Sequence, residues 1–418
     1  MEIKTEKKVY TEPISEEIKN MLEAKVKRFR DAQRWIKPDR TPFMAHLITW
    51  QFLDAGYTLA ESSRDYDIKR DAMIYAETHY KFDHINCIGS GFRNVFKVTD
   101  SLCGTGDTNT ERVTGEENTK SVQSDGASGV MTAIFEGFIK PEDYPAIKEN
   151  YTRALWEKAL FRRYPAAKNY TPEQFAMAAA TMWEYLGARQ QLDSELRFAY
   201  GDPMETVIAY YGNMFEELFN TLSGIKGLGI AMRRNHDELL DLCTTADIQR
   251  FEAFKGQAGA LPDCETTECY DYIGSLLSQN IMTKKQFEEF LLPGQKLFLD
   301  FTKNMGKLAY YWSEGTILPC ADFYNDYPKG VVTMMIETDD PYMIREKYPN
   351  IAIQGGLFNG HLGNGTPEQN IEDAKRAIDT LGRDGGLVLA SNKMITYECD
   401  LKRENLIAIG DFLESYKG

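Results

Sequence analysis

Between Lys307 and Gly418 the chain repeats one pattern: a short apolar run, a residue with reactive chemistry at its end, and a helix signal between or after the runs. The apolar runs are Leu308 to Trp312, Val331 to Ile336, Ile351 to Ile353 and Gly386 to Ala390. Strands that alternate with helices pair in parallel, so the pattern predicts the closing half of a parallel β/α barrel. The clearest helix lies between the last two strands. Thr366-Pro367-Glu368-Gln369 supplies an N-cap hydroxyl, a first-position proline and a glutamine three residues after the cap. Ile371, Ala374, Ala377, Ile378 and Leu381 then recur at helical spacing, and Gly382 stands at the stop.

The residues closing the runs are Glu314, Glu337, the loop Gly355 to His361, and Ser391-Asn392. The C-terminal strand ends of a β/α barrel build its active site, so these residues are expected to share one mouth. Period-two alternation puts Leu308, Tyr310, Trp312 and Glu314 on one face of their strand, and Val331, Thr333, Met335 and Glu337 on one face of the next.

The remainder of the chain fits the same architecture. Residues 1–38 carry an apolar stripe of Ile18, Met21, Leu22, Val26 and Phe29 among charges, an N-terminal helical extension packed outside the barrel. Residues 39–418 then form the barrel. The run from Arg40 to Trp50 predicts its first strand, with His46 at or near the end. Phe82 to Ile88 predicts the second, after a helix from about Lys69 to Tyr80, and leads into Gly89-Ser90-Gly91-Phe92-Arg93, where Arg93 is a candidate anion contact. A polar loop from Gly104 to Asn118 is expected over the mouth. From Val130 to about Arg250 the sequence is mostly helical, so helical insertions are expected between strands. The fold class is therefore α/β, a (β/α)8 TIM barrel with an N-terminal helix and helical insertions.

Composition narrows the function. A chain of 418 residues suits one barrel with insertions, and a formal charge of −15 repels nucleic-acid phosphates and anionic membrane surfaces. No apolar run approaches the roughly 20 residues of a membrane span, and Met1-Glu2-Ile3-Lys4 begins no signal-peptide core, so a cytoplasmic protein is expected. Seven scattered cysteines make no disulfide framework, and Cys264 with Cys269 lacks the companion ligands of a zinc knuckle.

Phe287-Glu288-Glu289-Phe290-Leu291-Leu292-Pro293, Ser313-Glu314-Gly315, Gly363-Asn364-Gly365-Thr366-Pro367-Glu368 and Gly385-Gly386-Leu387-Val388-Leu389 together resemble the uroporphyrinogen decarboxylase superfamily, over roughly Thr283 to Gly418. The resemblance implies a β/α barrel with a deep cleft, hosting either decarboxylation or cobalamin-linked methyl transfer. The arginine cluster by which the decarboxylases grip a polycarboxylate is replaced by Thr41-Pro42-Phe43-Met44-Ala45-His46. The chain is more similar to the corrinoid-dependent methyltransferase branch, of the O-demethylase methyltransferase I type. In the thiol-methylating members two cysteines bind zinc; here those positions read Trp312-Ser313-Glu314-Gly315 and Asn392-Lys393.

That resemblance implies methyl transfer from a small methoxylated aromatic compound to a corrinoid held by a partner protein, with a homodimer as the assembly allowed for. Glu314, Glu337 and His361 are the candidate ligands of a catalytic zinc, and Glu314 and Glu337 the candidate catalytic groups. Trp312, Tyr310, Phe358, Arg93 and His46 are the candidate substrate contacts. The bland reading gives Glu314 a loop hydrogen bond, Glu337 a helix cap and His361 an exposed loop position. A decarboxylase, or a non-catalytic corrinoid- or tetrapyrrole-binding barrel, are the alternatives.

Overall fold

The computed structural model describes residues 9–58, 61–62, 65–85, 137–163, 165–203, 208–262 and 265–416. Arg93 and the Gly104 to Asn118 loop lie outside the described residues. Its strands are β1 (Phe43–Ala45), β2 (His84–Ile85), β3 (Ala209–Tyr211), β4 (Tyr272–Leu276), β5 (Ala309–Ser313), β6 (Val332–Met335), β7 (Ala352–Leu357) and β8 (Leu387–Ser391). They form one parallel eight-stranded sheet in the order β2-β1-β8-β7-β6-β5-β4-β3. This is a TIM-barrel-like α/β fold, as the strand and helix alternation predicts. The principal helices are α1 (Glu16–Gln33), α2 (Tyr66–His79), α3 (Pro172–Tyr200), α4 (His236–Ala260), α5 (Leu292–Asn304), α6 (Pro341–Lys347), α7 (Asn359–Asn364), α8 (Pro367–Leu381) and α9 (Arg403–Ser415). Among the described residues no helix is long and apolar enough to cross a membrane.

The strand alternation sorts side chains as expected. Met44, Tyr310, Trp312, Met335, Val388 and Ala390 form an inner cluster, while Val332, Met334, Ile353, Leu387 and Leu389 face the helices. In α8 the Thr366 hydroxyl accepts from the Gln369 N–H at 3.3 Å, and Ala374, Ala377, Ile378 and Leu381 are buried. Burying Ile378 and Leu381 stabilises the fold by about 2 kcal/mol each.

Two strands escaped the sequence pattern. β3 is three residues long and lies in a stretch read as helical. β4 carries Gly274, a poor strand former, and the polar Ser275. Gly274 is there because the Tyr311 ring on β5 occupies the space a side chain would need: a Cβ would lie 2.8 Å from it.

α1 does more than pack outside the barrel; it seals the N-terminal end. Phe29 joins the inner cluster. The buried Arg30 guanidinium donates to the Glu268 carbonyl at 2.8 Å and pairs with Asp271 at 3.2 Å, just ahead of β4. Gln33 donates to the Cys269 carbonyl at 2.9 Å and accepts from the Thr333 hydroxyl of β6 at 2.9 Å. The Gly386 N–H at the start of β8 donates to Ala32 at 2.6 Å.

Trp35 completes the seal. It has φ of 62°, unusual for a side-chain-bearing residue, and its ring is met by the cations of Lys329 and Arg345, 3.8 and 4.3 Å from the ring centre. Gly385 and Gly386 have φ of 87° and 78°, and a Cβ on them would come within 2.8 and 2.7 Å of Trp35. Gly386→Ala is therefore expected to lose about 2 kcal/mol or more, from left-handed strain plus the clash, measurable as a lower urea midpoint. An unchanged midpoint would show that the floor yields freely.

Candidate active site

The barrel axis is polar and fully paired. The Gln354 amide nitrogen donates to His46 Nε2 at 2.6 Å and to the Tyr310 hydroxyl at 2.9 Å, while its oxygen accepts from the Tyr270 hydroxyl at 2.7 Å. Tyr270 stacks on Tyr310 with ring centroids 4.6 Å apart. His46 Nδ1 lies 3.1 Å from the Ser391 carbonyl, which only accepts, so that nitrogen carries the proton and Nε2 is the acceptor. Burial lowers the His46 pKa to about 4, keeping the ring neutral.

Above this layer the Trp312 ring meets His46 edge to face, centroids 5.4 Å apart, and its Nε1–H donates to Glu314 Oε1 at 3.1 Å. Glu314 is half-buried. Loss of solvation raises its pKa, the Trp312 hydrogen bond opposes the rise, and the charge of Glu337 adds to it. The result is a carboxyl group biased toward its acid form at the end of β5.

The turn carrying Glu314 is clamped on both sides. Its N–H donates to Leu276 at 3.1 Å, and its carbonyl accepts from Gln279 at 2.6 Å and Asn280 at 2.7 Å. The Gly315 N–H donates to the Glu337 carboxylate. Gly315 has φ of 71°, and any Cβ there would collide with the Asn280 side chain, so glycine alone suits the turn. The loop after β4 that provides Gln279 and Asn280 is itself held by Glu216, a fully buried carboxyl that accepts from the Leu277 N–H at 3.1 Å, the Ser278 N–H at 3.1 Å and the Ser278 hydroxyl at 2.8 Å. Burial pushes the Glu216 pKa up to about 7 against these bonds, and the charge of Glu314 contributes to the rise.

Glu337 therefore holds the neighbouring turn instead of capping a helix; Asp340 caps α6. Its carbonyl accepts from Asn392 at 2.7 Å, and Asn392 Oδ1 accepts from the Asn359 N–H at 2.8 Å, tying the ends of β6, β7 and β8 together. His361 is in α7, its Nδ1 2.5 Å from Asp373 of α8. The expected ligand trio is not gathered: among the described residues no three His, Cys, Asp or Glu side chains are grouped to hold a metal ion. Glu314, Glu337 and His361 are engaged with Trp312, Gly315 and Asp373 instead, so this donor set does not fit a zinc ion. A cleft of about 930 Å³ opens on the rim beside Glu337, lined also by Phe358, His361, Arg376 and Lys393.

Of the candidate substrate contacts, Trp312 stands at the mouth and Phe358, 57% exposed, at the rim. Tyr310 and His46, at 1% and 0% exposure, lie within the axis network and support Trp312 from below. Gln354, Tyr270 and Glu216 escaped the sequence reading. The signal for Gln354 is a lone polar residue amid the apolar run of β7, and for Glu216 an acid in the first turn after the Asn213 cap.

Neutral His46 makes stability depend on pH. Its pKa falls from 6.5 unfolded to about 4 folded, so between those values the unfolded chain binds more protons, and stability is lost as pH falls. The loss approaches about 3 kcal/mol below pH 4. His46→Gln should flatten the pH 4 to 6.5 portion of the urea-stability profile relative to the parent; parallel profiles would remove His46 from that role.

No protein-family profile matches the chain, and no curated protein sequence matches it. Among solved structures it is similar to a methyltransferase from Methanosarcina mazei, with a TM-score of 0.54 and 14% identity, over 94% of this chain and 99% of that one.

Proposed function

We propose that the chain is a methyltransferase that takes a methyl group from a methoxylated aromatic compound and delivers it to the cobalt of a corrinoid on a partner protein. The observation that carries this reading is Glu314: a half-buried carboxyl with a raised pKa, fixed by Trp312 at the C-terminal end of a barrel strand. A likeness of fold to a protein named a methyltransferase is consistent with it.

An aryl methyl ether is a poor methyl donor because its leaving phenolate holds the charge. The acceptor supplies the electron pair that takes the methyl carbon as the carbon–oxygen bond breaks. Glu314, in its acid form, gives its proton to the departing oxygen, so a neutral phenol leaves. The clamp of Gln279, Asn280 and Glu337 fixes the turn beforehand, which keeps reorganisation out of the barrier. Trp312 offers an indole face to the aromatic ring while its N–H keeps the carboxyl in place.

Mixing the protein with reduced cob(I)alamin and a panel of methoxylated aromatics should give the absorbance of the methylated corrinoid. Glu314→Gln should slow the reaction about 10²- to 10⁴-fold. The parent rate should fall as pH rises through the raised Glu314 pKa, because the acid form is consumed, and the variant should lack that limb. Transfer at the parental rate in Glu314→Gln would sink the acid role; no transfer from any donor would sink the methyltransferase reading.

A further inference from the structure

The long helix α3 outruns the barrel helix beside it. Arg70 of α2 pairs with Glu195 at 2.5 Å, and Glu77, farther along α2, faces Asp202 just past the end of α3, so the two helices run side by side in the same direction. In that register the start of α2 at Tyr66 is level with Gln191, and residues 172–190 stand beyond it as an arm of about 28 Å at a rise of about 1.5 Å per residue. One side of the arm is covered, with Ala178 buried and the Phe175 ring 5.7 Å from that of Trp156. The adjoining side is bare: Ala176, Ala179, Trp183 and Leu186 are all exposed. Their spacing of three, four and three residues is that of the seam by which one helix packs against another.

No residue of this seam is charged, and Glu173 and Glu184, the only acidic or basic residues between positions 172 and 188, lie off it. A chain of net charge −15 repels its own copies over most of its surface, and here two copies can meet without bringing charges together. The order of sizes also makes the seam complementary to itself. An antiparallel pairing centred at the level of Thr181 sets Trp183 of the partner subunit against Ala179, and Leu186 of the partner subunit against Ala176. Each large side chain then meets a small one. A parallel pairing would set indole on indole and leave the alanines apart.

We propose that the arm of α3 is a dimer interface, in which Ala176, Ala179, Trp183 and Leu186 pack antiparallel against the same seam of a second copy of this chain. An apolar groove lined by Leu155, Trp156, Ala159 and Leu160 adjoins the seam through the contact of Trp156 with Phe175 and extends it. Trp183 and Trp156, 73% and 56% exposed, offer roughly 300 Å² between them. A standard interface takes about 800 Å² per partner, so a reversible dimer of micromolar strength is expected rather than an obligate one. The proposal goes beyond the methyl-transfer reading and does not depend on it.

Sedimentation velocity of the full chain across the micromolar range tests it. The parent should pass from monomer to dimer as its concentration rises. Trp183→Ala leaves small residues face to face and Ala179→Trp sets two indoles against each other, so each should weaken the dimer about tenfold or more. The double variant returns one large and one small residue to each contact and should recover much of the parental affinity, which misfolding of either single variant could not produce. Ile407→Asp, at an exposed apolar position on α9, should leave the dimer unchanged, and circular dichroism checks the fold of every variant. A parent that stays monomeric, a dimer unmoved by Trp183→Ala, or a double variant no tighter than the single ones would overturn the pairing. A monomeric parent that binds a corrinoid carrier protein, with that binding lost in Trp183→Ala, would assign the seam to the carrier instead.

Discussion

Gln354 lies at the centre of a cluster of buried polar side chains. Its amide satisfies His46 and Tyr310 as donor and Tyr270 as acceptor, in a space closed to water. An amide can do this because it carries both functions; glutamate would present only acceptors to the neutral His46 acceptor nitrogen, and leucine would remove three hydrogen bonds at once. The layer above inherits its geometry from this one. Trp312 rests on His46, and Glu314 is positioned by Trp312.

The mouth runs on a graded set of carboxyls. Glu216 is wholly buried and tied to backbone N–H groups, Glu314 is half-buried with one indole donor, and Glu337 is spent on the next turn. Burial raises the pKa of both Glu216, to about 7, and Glu314, and in each case a neighbouring carboxylate charge adds to the rise, so like charges along this line disfavour simultaneous ionisation. Of the two, Glu314 is the one that the strand periodicity brings to the barrel end.

The closing half of the barrel was legible because its strands are apolar runs of ordinary composition and α8 carries its caps in sequence. Glu314 and Glu337 follow the C-terminal ends of the adjacent strands β5 and β6. What the pattern hid depends on partners far away in sequence. Gly274 reads as a strand breaker until the Tyr311 ring is seen against it. His46 and Tyr310 read as substrate contacts until Gln354, some 308 and 44 residues distant, is seen to pair with them. Whether His361 points toward a strand end or toward α8 depends on how α7 turns, which no local signal specifies.

The seal made by α1 has a consequence for the order of events as the chain is made. The helix emerges before the strands it seals, but atoms it binds belong to Glu268, Cys269, Asp271, Thr333 and Gly386. These contacts must wait for chain that follows the helix by more than 200 residues, and the floor closes only when β8 arrives. Such long loops make closure a late step and leave Val26 and Phe29 exposed to wrong partners in the interval. A nascent chain halted before Gly386 would carry a barrel open at the bottom, with the helix that should stop it already built.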